Sequence, residues 1–328
     1  MPTRIAWIGT GHIHTPGFSN EVLKRGLECA GVWDHDKDRA KKNAGKLGGV
    51  ARSISELGND GSVDGLVVCS ETIHHLDLVS QLVGSGKPMF IEKPMGFNAE
   101  QSIAICKLLE EHGIVFQTGY FSRGAANVRA LKGRVEEGFF GQITRVRASN
   151  CHSGALGGWF DSEWRWMADR SQAGVGAFGD LGTHVLDLLL WIFGGVSAAT
   201  GVLAPGTNRY PGCEETGEAL LKFTSGTIGT LAAAWDDVAD PIRIQVSGTK
   251  GCAMLGSDLM VAGSDGKLEK MEAGESVAAG FGAFLDHLDG KNVELVTARE
   301  AANRDIVMDA IYRGAESQSW IEIPADWR

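Results

Sequence analysis

The chain is poor in several features that usually betray a function early. Its six cysteines, at 29, 69, 106, 151, 213 and 252, are scattered, and none forms a Cys-x-x-Cys pair. That argues against a zinc knuckle or a zinc alcohol dehydrogenase and suggests free thiols in a reducing cytoplasm. Tyrosine is scarcer still. Tyr120, Tyr210 and Tyr312 are followed four residues later by Gly124, Glu214 and Glu316, so the Tyr-x-x-x-Lys of short-chain dehydrogenases is missing. There is no basic run, and the formal charge is −10, from 31 lysines and arginines against 41 acids. An acidic surface repels phosphodiester backbones, so nucleic acid is not expected as a partner. No apolar run approaches a membrane span, and the longest, VLDLLLWIF, contains an aspartate. The opening MPTRIAWIGTG lacks a basic region followed by an unbroken apolar core. No signal peptide is therefore expected, and the cytoplasm is the expected location.

What is present reads as an ordinary globular protein, with 43% apolar and 22% charged residues. At 328 residues it exceeds what one hydrophobic core usually organises, so two domains are expected. From Arg4 to about Gly119, short apolar runs (RIAWIG, ECAGVWD, VDGLVVCS, KPMFIE, IVFQTGY) alternate with amphipathic stretches. Unbroken apolarity marks strands covered on both faces, and alternating β and α units imply a doubly wound parallel sheet. Ser53 with Glu56, and Asn98 with Gln101, have the spacing of helix N-caps. After about residue 140 comes an extended run, TRVRASNC, then a Gly- and Trp-rich stretch and a compact helix, DLGTHVLDLLLWIFGG. Alternating segments with turns at Ser225-Gly226, Thr249–Gly251 and Asp265-Gly266 then predict antiparallel strands. Thr297 and Glu300 cap a last helix, and IEIP closes the chain's strands. The expected architecture is a Rossmann α/β domain over 1–121 and an α+β domain over 122–328 with an open, mainly antiparallel sheet.

The first strand runs into Gly9-Thr10-Gly11-His12-Ile13-His14. Glycines at 9 and 11 permit a tight turn and let the backbone approach a pyrophosphate at the start of the next helix. His14 stands where a third glycine normally allows close helix–strand packing, which predicts a helix set further out or starting later. The second strand ends in Asp34, whose carboxylate can accept from adenosine ribose hydroxyls and repel a 2′-phosphate, favouring NAD over NADP. Cys69-Ser70-Glu71-Thr72-Ile73-His74-His75 leaves the third strand, on the rim where ligands lie in open parallel sheets. Neighbouring histidines diverge and no third ligand is evident, so no metal is expected; His75 is instead read as capping or lining a cofactor groove.

Lys93, in FIEKPMG, falls on the same rim, with Pro94 restricting its backbone. A rigidly mounted ammonium suits a reactive site, though a surface Glu92–Lys93 pair ending a strand would look alike. Asp180, His184 and Asp187 share one face of a helix that is apolar nearly all round. Burying acids and a histidine without partners is costly, which favours a cleft, but a satisfied core histidine with an aspartate cap has the same pattern.

With these segments the chain resembles the glucose–fructose oxidoreductase/inositol dehydrogenase/MocA family over nearly its whole length. The matching stretches are the glycine loop, VDGLVVCSETIHH, SGKPMFIEKPMG, QTGYFSRG, EEGFFGQITRVRA, GVGAFGDLGTHVLDLLLWIFG and DAIYRGAES. It departs from the family at His14, and at Glu71 and Thr72, where Pro-Asn is common. The resemblance implies an NAD(P)-binding Rossmann domain, a sugar, cyclitol or polyol substrate, and a second sheet serving a homodimer or homotetramer. It maps the reactive set to Lys93, Asp180 and His184. His184 would be the general base, Lys93 the partner of the reacting oxygen, and Asp180 the group orienting both lysine and substrate. Cofactor contacts are expected from Gly9, Thr10, Gly11, His12, Ile13, Asp34, Ser70, Glu71, His75, Glu92 and Lys93. Tyr120 and Arg123 would border the substrate. His152, Trp159, Trp164, Arg165 and Trp166 form either a sugar-facing wall or packing at the domain junction. A nucleotide-sensing regulator without turnover is the alternative function.

Overall fold

The computed structural model describes residues 2–328. The five apolar runs form five strands: β1 (Arg4–Ile8), β2 (Glu28–Trp33), β3 (Gly65–Val68), β4 (Met89–Ile91) and β5 (Phe116–Gln117). They pair in parallel in the order β2-β1-β3-β4-β5. Helices α1 (Thr15–Lys24), α2 (Lys37–Lys46), α3 (Ile54–Asn59), α4 (His75–Leu82) and α5 (Ala99–Glu111) connect them. Side chains of β1 and β3 are buried on both faces, in two separate apolar clusters. That double cover is why these strands lack polar alternation. Ser53 and Glu56 form a reciprocal capping box at α3, and Asn98 accepts from the Gln101 N–H at α5. Strand order reverses beside β1, so the loops after β1, β2, β3 and β4 converge on one rim.

The second sheet has nine strands: β6 (Ile143–Cys151), β7 (Val196–Ala204), β8 (Thr216–Phe223), β9 (Ile228–Ala234), β10 (Ile244–Gly248), β11 (Cys252–Leu255), β12 (Leu259–Ala262), β13 (Glu269–Met271) and β14 (Ile321–Glu322). Their order is β13-β12-β11-β10-β6-β9-β8-β7-β14, antiparallel except where β6 runs parallel to β9. Helices α6 (Ala126–Glu136), α7 (Arg170–Ala173), α8 (Ala177–Phe193), α9 (Phe281–Leu288) and α10 (Ala298–Ser317) accompany it. The α8 helix packs its apolar surface against the sheet. Among the described residues the stretch Arg170–Phe193 is apolar and long enough to cross a membrane, but 89% of its most apolar window is packed inside the protein.

Two late segments return to the first sheet. Phe281 and Phe284 of α9 pack against Phe90 and join the cluster around Trp7. Ala298, Ala301 and Ala302 of α10 join the other first-sheet cluster, while Ile306 to Ile311 belong to the second core. One helix therefore ties both sheets together.

Candidate active site

Lys93 sits just beyond β4, and its peptide bond to Pro94 is cis. The loop after it is anchored from two sides. Asp305 Oδ2 on α10 accepts from the N–H groups of Met95 and Gly96, at 3.1 and 3.4 Å, and from the Ser102 hydroxyl at 2.6 Å. His75 lies between the carbonyls of Met95 and Ser70, at 3.1 and 3.3 Å, and as a neutral imidazole it donates its one N–H to one of them, packing the two loops together.

Held in this way, the Lys93 ammonium reaches the start of α8. It donates to Asp180 Oδ1 at 2.5 Å and to the Asp180 carbonyl at 3.2 Å. The other carboxylate oxygen accepts from the Trp235 indole at 3.2 Å. Asp180 lies in the first helical turn, where the helix dipole favours negative charge. Burial works against its ionised form, but the Lys93 ammonium overrides it and holds the carboxyl well below the usual range. His184 follows one turn later. Burial, and then the charge of Lys93, depress its basicity well below the ordinary imidazole value, so it is neutral. Its Nδ1 is buried without a hydrogen-bond partner. Phe121, 55% exposed, lies with its ring 5.1 Å from the imidazole, and the Tyr120 ring meets it edge-on at 6.4 Å. An ammonium, a carboxylate and a neutral imidazole with a spare lone pair thus converge on one small volume. Such a set can bind an oxygen and move a proton.

Beside it lies the glycine loop. Among the described residues no protein acceptor takes the N–H of Gly11 or Ile13, which leaves two donors at the start of α1. A cleft of about 310 Å³ runs along Thr10, Gly11 and His12 between α1 and α2, with Trp164 on its border. His14 occupies the N-cap position of α1 without a side-chain capping bond, and the helix begins at Thr15. Glu92 is buried, with one carboxylate oxygen facing His14 Nδ1 at 3.5 Å and the other unpartnered. Free backbone donors at a helix start suit a pyrophosphate, and orphaned polar atoms suit the rest of a dinucleotide, so the residues present fit that cofactor.

The Asp34 carboxylate is not free. It accepts from the N–H and hydroxyl of Thr10, from the Asp36 N–H, and from Nε and Nη2 of Arg39, all between 2.8 and 3.0 Å. Arg39 Nη2 also donates to Glu71, at 2.9 and 3.2 Å. Arg39 has no motif of its own in the sequence. Its position five residues after Asp34, on α2, brings it back over that strand end.

The Gly/Trp-rich segment divides. Trp166 donates its indole N–H to the Gly11 carbonyl at 2.9 Å and is buried, so it packs the junction over the glycine loop. Arg165 lies over the Tyr210 ring at 4.7 Å. His152 is near Trp159, ring to ring at 4.6 Å, and feels the charges of Asp180 and Lys93. Trp159 is left 46% exposed. Arg123 is engaged elsewhere, making two bonds to Asp187 at 2.8 and 2.7 Å and a further contact to Glu300 at 3.0 Å. The Tyr120 hydroxyl is buried against Thr183 at 3.1 Å. Trp235 and Phe121 were not anticipated. Each is a single aromatic at a strand or loop end, and nothing in its spacing distinguishes it.

Two His/Glu groups, His12–His14–Glu92 and His35–Glu71–His74, bring possible ligand atoms within 4.8 Å among the described residues. In the first group His12 Nδ1 accepts from the His14 N–H at 3.2 Å while one Glu92 oxygen stays unpartnered, and in the second Glu71 holds Arg39.

Residues 3–120 match the family model "Oxidoreductase family, NAD-binding Rossmann fold", and residues 128–254 match "GFO/IDH/MocA C-terminal domain". The chain is 25% identical over 256 residues to scyllo-inositol 2-dehydrogenase (NAD(+)) of Bacillus subtilis (strain 168), covering 75% of this chain and 71% of that one. It is 27% identical over 257 residues to myo-inositol 2-dehydrogenase of Thermotoga maritima, covering 76% and 73%. Among solved structures, levoglucosan dehydrogenase in complex with NADH and levoglucosan superposes with a TM-score of 0.82 at 19% identity, over 99% of this chain and 100% of that one. Aldose-aldose oxidoreductase from Caulobacter crescentus, complexed with glycerol, gives 0.83 at 20% identity, over 98% and 100%.

Proposed function

Because the chain belongs to the GFO/IDH/MocA oxidoreductase family, with its NAD-binding Rossmann fold, we propose that it interconverts a secondary alcohol and a ketone on a sugar, cyclitol or related polyol. The observation that carries this reading is the contact of Lys93 with Asp180, 2.5 Å apart and one helical turn from the unpartnered His184 Nδ1. NAD, when bound, supplies the hydride acceptor or donor. His184, kept neutral by burial and by Lys93, takes the hydroxyl proton as the alcohol is oxidised. Lys93 donates to the reacting oxygen as negative charge develops there. Asp180, fixed by Trp235, aims the ammonium. Gly9, Thr10, Gly11, His12 and Ile13 cradle the cofactor phosphates, with Ser70, Glu71, His75 and Glu92 along the same groove. His152, Trp159 and Arg165 face or frame the substrate with Tyr120 and Arg123 behind them, and Trp166 closes the glycine loop. NAD is preferred over NADP, since two carboxylates, Asp34 and Glu71, face a single guanidinium at the end of β2.

The cofactor half spans 1–121 and the substrate half 122–328, with α9 and the start of α10 lent back to the first. Val202, Leu220 and Ile228 stand 73, 45 and 57% exposed on one face of the second sheet, which supports a homodimer or homotetramer formed through it. We place the protein in the cytoplasm. Incubation with NAD or NADP and a panel of aldoses, inositols and keto-sugars, followed at the absorbance of the reduced cofactor, tests the reading. Cofactor binding with no turnover on any member of the panel would favour a nucleotide sensor instead.

A further inference from the structure

The clamp around Arg39 has no part in the chemistry above, yet it occupies the place where the adenosine end of a dinucleotide would lie. Three observations describe it. The Asp34 carboxylate has its lone pairs filled by Thr10, Asp36 and Arg39, so it has little capacity left for a ribose. Arg39 uses Nε and Nη2 on Asp34 and Glu71, and no protein acceptor among the described residues takes its Nη1. A Cβ added to Gly11 would lie 2.9 Å from that Nη1 and 3.0 Å from Glu71 Oε1, so the pair rests directly against the middle of the glycine loop. Glu71 is 5% exposed and Arg39 is pinned from both sides, so this geometry is preorganised. The half-exposed His35 lies 3.5 Å from Glu71 and does not change its charge balance when neutral.

On the reading that this groove holds a nicotinamide dinucleotide, we infer that Glu71, through its grip on Arg39, is the residue that sets the choice between NAD and NADP. Arg39 is the only guanidinium in the clamp, and by itself it would welcome a 2′-phosphate with its free Nη1 donors. Glu71 cancels that attraction in two ways. It adds a second carboxylate, which leaves the Asp34–Arg39–Glu71 group with a net negative charge, and it fixes the guanidinium so that it cannot turn toward an added phosphate. The ribose hydroxyls of NAD carry no charge and are not penalised.

The test is direct binding of NADH and NADPH, read by fluorescence, to the wild-type protein and to Glu71→Gln, Glu71→Ala and the double variant Glu71→Gln/Arg39→Ala. Arg39 keeps its pairing to Asp34 in both single variants, and thermal melts check that they fold. Removing one charge close to the phosphate is expected to narrow the preference for NADH by about ten- to hundredfold, mainly through tighter NADPH binding. The double variant is expected to lose that gain. An unchanged NADH/NADPH ratio in both single variants, or a gain that persists without Arg39, would overturn the inference while leaving the dinucleotide reading intact. Failure of the wild-type protein to bind either nucleotide would overturn both.

Discussion

Two aspartates on α8 look alike in the sequence and have different uses. Asp180 meets a lysine at the rim, while Asp187, two turns further in, meets Arg123 and Arg304 at 2.7 and 2.6 Å in the interior. Removing one member of a buried ion network leaves the others uncompensated, so Asp187→Ala should cost about 3–5 kcal/mol, measured by denaturant titration. Asp180→Asn likewise leaves the buried Lys93 ammonium without its counter-charge, so it should lower turnover as well as the unfolding midpoint. The sequence places both, with His184, on one helical face, as found, but cannot say which cation each aspartate meets. The partners come from residues 64, 87 and 117 positions away. Asp34 illustrates the same limit: its position after β2 was legible, and its capture by Arg39 was not.

At the scale of elements, the five parallel strands were legible because burial on both faces leaves unbroken apolar runs, and α3, α5 and α10 because their caps are written locally. The α9 helix was not. It has eight residues, begins after Gly280 and has no side-chain cap, so only its packing on Phe90 and Phe18 defines it. The loop that carries Lys93 owes its position to α10. Asp305→Ala would leave two backbone N–H groups and the Ser102 hydroxyl unpaired in the interior. A loss of about 1–3 kcal/mol is expected from one such orphaning. Because the same loop mounts the ammonium, turnover should fall in this variant even at temperatures where it is fully folded.

At the scale of the whole molecule, buried histidines make stability depend on pH. His12 is pushed down to about 3 by burial, and burial also lowers His75 and His184. All three bind protons more readily when unfolded, near their ordinary value, so stability is expected to fall as pH drops below about 6.5. Asp305 acts in the opposite sense. Burial raises it to about 7, so it gives up a proton on unfolding between about pH 4 and 7. Three histidines take up protons on unfolding where one aspartate releases one, so the denaturant midpoint is expected to fall between pH 6 and 5. Asp305→Asn removes the opposing release and should steepen that slope. The exposed apolar face of the second sheet gives a further prediction. Leu220→Glu with Ile228→Glu should shift the protein toward monomer in sedimentation, whereas unchanged mass would mean that this face is not the interface. The crevice itself was only half legible in the sequence: each side is marked by a motif, but their meeting depends on how two sheets dock, and α10 and the Trp166 contact to Gly11 carry that docking.

The central claim is that Lys93 and His184 act together on one reacting oxygen beside the cofactor. Its most direct test is single-turnover kinetics of Lys93→Ala and His184→Ala on a substrate found by the sugar panel, alongside NADH affinity for each variant. Chemistry is expected to slow by about 10²–10⁴-fold in each, with NADH binding within a few-fold of wild type. Near-normal turnover in both variants would contradict it.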